Sequence, residues 1–148
     1  MATLSFAAAV AQFAEKVPEA VETVRNLSAA DVVKEMQTLD REGGRMPFKT
    51  GFLQDSLLAS TAAMPRINPN AHPAEGATYK FDFAAIEAVI LNASLEDDLY
   101  FGYTAAYAAH QEYGARGRPG AAFVRLAAQN WPVHVTRNAE KVRKAFGL

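Results

Sequence analysis

The chain has no cysteine in its 148 residues. That absence excludes disulfides, thiol nucleophiles and cysteine zinc sites. No run is long and apolar enough to cross a bilayer. The stretch Leu4 to Ala14 lacks the basic start and cleavage context of a signal peptide, so a cytosolic product is expected. Phosphate-cradling and dinucleotide glycine patterns are missing, because Gly114, Gly117 and Gly120 follow an expected helix rather than a strand. Ser56 and Ser60 lack the G-x-S-x-G elbow of a serine nucleophile. No repeat or low-complexity segment is present beyond alanine-rich helices.

What is present is the composition of an ordinary folded domain, 50% hydrophobic and 21% charged. A chain of this length buries about 70% of its unfolded surface and needs no covalent staple. One domain spanning residues 1–148 is expected. The net charge of -1 conceals a split. Residues 1–42 hold four Lys/Arg against seven Asp/Glu, residues 43–115 hold four against eight, and residues 116–148 hold seven against one. The acidic body and the basic last third can meet opposite partners, or each other.

Phe6, Val10, Phe13 and Val17 recur at helical spacing, and a proline costs about 3 kcal/mol inside a helix. This predicts one helix to about Lys16 and a second from Pro18, with Val21, Val24, Val32, Met36 and Leu39 on one face and Gly43-Gly44 as its end. Leu57 to Met64 reads as a strand and the proline-rich stretch from Pro65 as an exposed loop. Tyr79, Phe81 and Phe83 alternate as a strand would, yet Phe83, Ile86, Ile90 and Leu91 fit a helix from about Asp82 to Asn92 better. Leu99 to Tyr103 reads as a strand, with Thr104 capping a helix from Ala105 to Tyr113 that Gly114 closes. Arg116-Gly117-Arg118-Pro119-Gly120 reads as a flexible basic loop. Ala121 to Phe146 is helical with a fresh start at Trp131-Pro132. The sum is an α+β fold: a small antiparallel β-sheet packed against long N-terminal and C-terminal helices.

Candidates for chemistry are few. Glu96-Asp97-Asp98 has oxygen ligands but no glycine-turned loop, so a solvated turn is the better reading than a metal site. His110 and Glu112 are two apart and point to different helix faces. His72 and His134 have no acid partner nearby in sequence. No catalytic residue, cofactor or metal site is therefore expected, and the chain reads as a non-enzyme. Arg116, Arg118, Arg125, Arg137, Lys141, Arg143 and Lys144 would favour phosphates, but a chain this close to neutral is not a dedicated nucleic-acid binder.

Three segments have specific residue choices. The first is Pro47, Thr50, Gly51, Leu53 and Ser56, spaced as P-x-x-T-G-x-L-x-x-S. The second is Tyr107, Ala108, Glu112 and Gly114, spaced as Y-A-x-x-x-E-x-G, and the third is read at Pro119, Phe123 and Ala127. In this order they resemble the tail-completion, or head-tail joining, family of long-tailed bacteriophages over about residues 18 to 131. The segment from Pro65 to Asp98 departs from it, being longer than the simple hairpin the family would have.

The resemblance implies a structural virion protein without cofactor or catalysis. Such a protein forms a homo-oligomeric ring, a hexamer to match sixfold tails, at the neck between the head-closure or adaptor protein and the tail tube or tail terminator. It is made in the host cytoplasm and can touch DNA in the channel non-specifically. A tail terminator or minor head or tail protein is the alternative within the virion; a small nucleic-acid-binding protein and a hydrolase using His110 or Glu112 are alternatives outside it. Tyr107, Glu112, Tyr113, Arg116 and Arg118 are the expected subunit-interface residues. In that reading the Glu112 charge is available at a helix end to an arginine of a neighbouring subunit.

Overall fold

The computed structural model describes residues 5–148; residues 1–4, including Leu4 of the N-terminal stretch read above, lie outside it. Six α-helices and two two-stranded antiparallel sheets make up the described residues. The α+β class and the long N- and C-terminal helices are as expected.

Helix α1 runs unbroken from Phe6 to Gln37, with Pro18 inside it. The expected break at Pro18 does not occur. Proline removes one N–H and leaves the carbonyl four residues earlier without a partner inside the helix, but Ala14 and Pro18 are both exposed, so the lost bond falls where solvent can replace it. The Ser5 hydroxyl accepts from Ala8 N–H and caps the start. The other end comes six residues before Gly43. Thr38 turns extended, and a 3₁₀ turn at Asp40–Glu42 folds the chain back so that Met46 N–H donates to the Thr38 carbonyl. Gly43 and Gly44 serve this turn, not the helix. A Cβ on Gly44 would collide with the Thr38 carbonyl.

After a single helical turn, α2 (Phe52–Asp55), strand β1 (Leu57–Ser60) pairs with β2 (Tyr100–Tyr103), Leu57 opposite Tyr103 and Ser60 opposite Tyr100. The strand expected to reach Met64 stops at Ser60. Between Ser60 and Asp82 there is no regular element, so the alternation of Tyr79, Phe81 and Phe83 is not a strand. Those rings pack instead: Phe52 meets Tyr79 edge-on at 5.0 Å, and Phe81 meets Phe83 at 6.4 Å. Helix α3 (Phe83–Asn92) starts at the expected place, with Asp82 Oδ1 accepting from Ala84 N–H.

Helix α4 is Ala108–Tyr113, shorter than expected. Thr104 does not cap it, because its backbone N–H and hydroxyl both donate to the Ser56 carbonyl, tying β2 to the end of α2. Next come β3 (Gly114–Ala115), β4 (Arg118–Pro119), α5 (Phe123–Gln129) and α6 (Trp131–Phe146), the last restarting at Trp131-Pro132 as expected. The core lies where α1, α3 and α5 close on the β1–β2 pair. Val33, Met46, Ile90 and Ala105 are at its centre and Tyr103 and Phe123 cross edge-on at 5.2 Å. Helix α6 packs antiparallel on α1.

Candidate functional site

The three motif segments converge on one joint beside this core. Gly51 takes φ +82 at the start of α2, and a Cβ there would strike the Tyr79 carbonyl; only glycine makes that turn at no steric cost. Leu53 and Ser56 are buried just after it, the Ser56 hydroxyl donating to the Leu53 carbonyl at 2.7 Å. Tyr107 lies against Phe52 with ring centres 6.3 Å apart, and Ala108 is buried beneath α4.

Glu112 ends α4 pointing inward, with 8% of its surface exposed. Its Oε2 accepts from Val124 N–H and its Oε1 from Arg125 N–H, both at 2.9 Å. Helix α5 has no capping side chain of its own, since Ala122 before it is held in the left-handed region at φ 53. The carboxylate therefore caps α5 from twelve residues away in sequence, where the helix N-terminus favours negative charge. The Glu112 carbonyl accepts from Ala122 N–H and fixes the strained residue. This corrects the expected role of Glu112: its charge is not available to a neighbour's arginine, because both oxygens are engaged within the chain.

Gly114 follows at φ +94, so close to the returning strand that a Cβ would overlap the Arg118 carbonyl. Residues 116–120, expected as a flexible loop, form a hairpin with Ala115 opposite Arg118. Arg116 (φ 52) and Gly117 (φ 75) are its two central residues, the left-handed pair that matches the twist of short antiparallel strands. Composition suggested mobility; the two-residue spacing gives order. Arg116, Arg118 and Tyr113 are exposed, and His110, Gln111, Arg116 and Arg118 line a polar hollow of about 630 Å³. Of the expected interface residues, Tyr113, Arg116 and Arg118 face outward, Tyr107 is half-buried against Phe52, and Glu112 is internal.

Sequence reasoning missed a polar seam between α1 and α6. His134 lies between the helices, its Nε2 3.0 Å from Glu35 Oε2 and its Nδ1 2.7 Å from Arg137 Nη2. Asn138, fully buried, donates to Ser28 Oγ and to Asp31 Oδ2. Burial pushes the Asp31 carboxyl up, but the Asn138 amide, the bond and charge of Arg137 and the nearby His134 outweigh it and leave it below its usual value. The partners are about a hundred residues apart, although the charge split between acidic body and basic last third was the available signal. Part of that split is thus satisfied inside the chain.

Buried Tyr103 donates to Gln37 Oε1 at 2.7 Å; burial, then the Glu112 charge, raise its phenol well above 10.0. The turn at Glu96, Asp97 and Asp98 is exposed, as expected, with Asp97 accepting from Ser94 N–H. Among the described residues no group of three or more His, Asp or Glu is placed to hold a metal ion, and no helix is long and apolar enough to cross a membrane. Comparison with models of known protein families, with curated proteins and with solved structures returns no match for this chain.

Proposed function

We propose that this chain is a structural, non-catalytic virion protein of a tailed bacteriophage. It is a tail-completion or head-tail joining component that assembles into a ring at the neck, between the head-closure or adaptor protein and the tail tube or terminator. The observation that carries the reading is the convergence of the three motif segments. Residues far apart in sequence, from Gly51 to Ala127, build one joint: Gly51 and Gly114 have no room for a side chain, Glu112 caps α5, and Leu53, Ser56, Ala108, Phe123 and Ala127 are buried. The joint holds out an ordered hairpin with Arg116 and Arg118 on its surface.

A ring needs a heterologous contact in which unlike patches of neighbouring copies meet. Arg116 and Arg118 supply the basic patch. With Glu112 engaged internally, the opposing carboxylates come from exposed positions of the acidic body, Glu75, Glu96 and Asp98 among them. The sixfold symmetry of tails sets the expected number of copies at six.

Electron microscopy of particles assembled without this chain tests the reading. Filled heads separate from tails are the expected result, and normally joined particles would refute it.

A further inference from the structure

The first three turns of α1 extend beyond the rest of the protein. Lys16 Nζ reaches the Phe146 carbonyl at the C-terminal end of α6, so residues 6–15 continue past the end of the antiparallel helix. At 1.5 Å per residue this arm is about 15 Å long. One of its faces is apolar throughout. Phe6 is 85% exposed, Phe13 57% and Val10 50%, and further along the same helix Val21 is 49% exposed. At 3.6 residues per turn, Phe6, Val10, Phe13, Val17, Val21 and Val24 fall within about 80° of the helix circumference, and no charged residue interrupts them. Glu15 lies on the opposite side.

Where α1 enters the body, this stripe becomes one wall of a trough. Val17, Val21, Val24, Val135, Ala139 and Leu148 line a hollow of about 460 Å³ between α1 and α6. A second hollow continues it along α1 past Arg25, which borders both; Val32, Leu99, Phe101 and Trp131 line its apolar side, and Asp97 and Asp98 its polar edge. The trough spans Val17 to Val32, about 22 Å of helix, long enough to receive the arm.

We propose that α1 is a self-association surface, and that two copies of this chain pair antiparallel across Val17, each arm lying in the other's trough. Two observations select a second copy as the occupant. The first is spacing. From Val10 through Phe13, Val17 and Val21 to Val24 the steps are three, four, four and three residues, the same read from either end. A two-fold axis at Val17 therefore sets Val10 beside the partner's Val24 and Phe13 beside the partner's Val21. Phe6 then lies beyond the partner's Val24, toward Arg25 and the second hollow.

The second is area. With a whole phenylalanine worth about 150–250 Å², the exposed parts of Phe6, Val10 and Phe13 amount to roughly 350 Å², in the range of patches that mark interaction sites. One arm covered by one trough hides roughly 700 Å² in total, no more than a lattice contact; the reciprocal exchange hides roughly 1,400 Å², within the range of standard specific interfaces. The pair is closed and isologous, unlike the contacts of a ring, and does not rest on the neck reading.

The absence of cysteine makes the test direct. In light scattering the unaltered chain should have the mass of two chains, and Phe6→Ser/Phe13→Ser the mass of one with unchanged helical circular dichroism. Under mild oxidation Val17→Cys should give a covalent dimer at least tenfold faster than Glu15→Cys. A single-chain mass for the unaltered protein, a mass that Phe6→Ser/Phe13→Ser leaves unchanged, or equal crosslinking at the two positions would overturn the pairing. None of these outcomes bears on whether heads and tails join.

Discussion

The joint around Glu112 and the helix pair α1–α6 solve opposite problems. In the joint, polar groups find partners inside the chain and Gly51, Gly114 and Gly120 have no room for a side chain, while Tyr113 and the hairpin tip are offered outward. In the helix pair the order is reversed: a polar seam of Ser28, Asp31, Glu35, His134 and Asn138 lies between the helices, while valines and phenylalanines of α1 face outward. The lesson is that motif residues here fix internal geometry. The surfaces proposed for contact lie beside them, at positions no motif marks.

The sharpest way to break this contrast is at Gly114. Gly114→Ala places a Cβ on the Arg118 carbonyl at a left-handed φ, and a loss of about 3–5 kcal/mol in denaturant unfolding is expected. A loss below 1 kcal/mol would mean the hairpin is not held as described. Next is Glu112→Ala, which leaves the N-terminus of α5 uncapped and two N–H groups unpaired; a loss of about 2–4 kcal/mol is expected, with Glu112→Gln recovering part of it.

The seam should be weaker. Asn138→Ala removes the donor to Ser28 and Asp31 and should cost about 1–3 kcal/mol. Its pH dependence sharpens the point. The folded Asp31 carboxyl titrates below its usual 3.8, so its contribution is complete above that value and is lost as pH falls through the lower folded value. Acid titration of the Asn138→Ala variant should show a smaller loss over that window than the unaltered chain. At the small end, Arg116→Ala and Arg118→Ala should each move stability by no more than about 0.5 kcal/mol, since neither supports anything within the chain.

These differences also mark what the sequence could convey. Local signals were readable: Asp82 before an apolar helical run, Tyr100 to Tyr103 as a strand, and Trp131-Pro132 as a restart. Pro18 misled because its cost depends on whether the freed carbonyl reaches water, a property of exposure and not of the residue. The hairpin at Arg116-Gly117 was misread because glycine and proline density marks a turn without saying whether strands flank it. Glu112 was recognised as important at the right position and given the wrong partner. Its acceptor role toward Val124 and Arg125 depends on a chain reversal that no pattern of twelve residues encodes. The seam escaped for the same reason, its partners being joined only when α6 folds back on α1.

The central claim is that the joint exists to hold Arg116 and Arg118 toward a neighbouring subunit. The most direct measurement supplies Arg116→Glu/Arg118→Glu to particles assembled without the chain and counts joined heads and tails by electron microscopy, beside thermal unfolding of the same variant. The account expects a melting temperature within a few degrees of the unaltered chain and a drop in joined particles of about tenfold or more. Full joining by a variant that is folded and charge-reversed would contradict it.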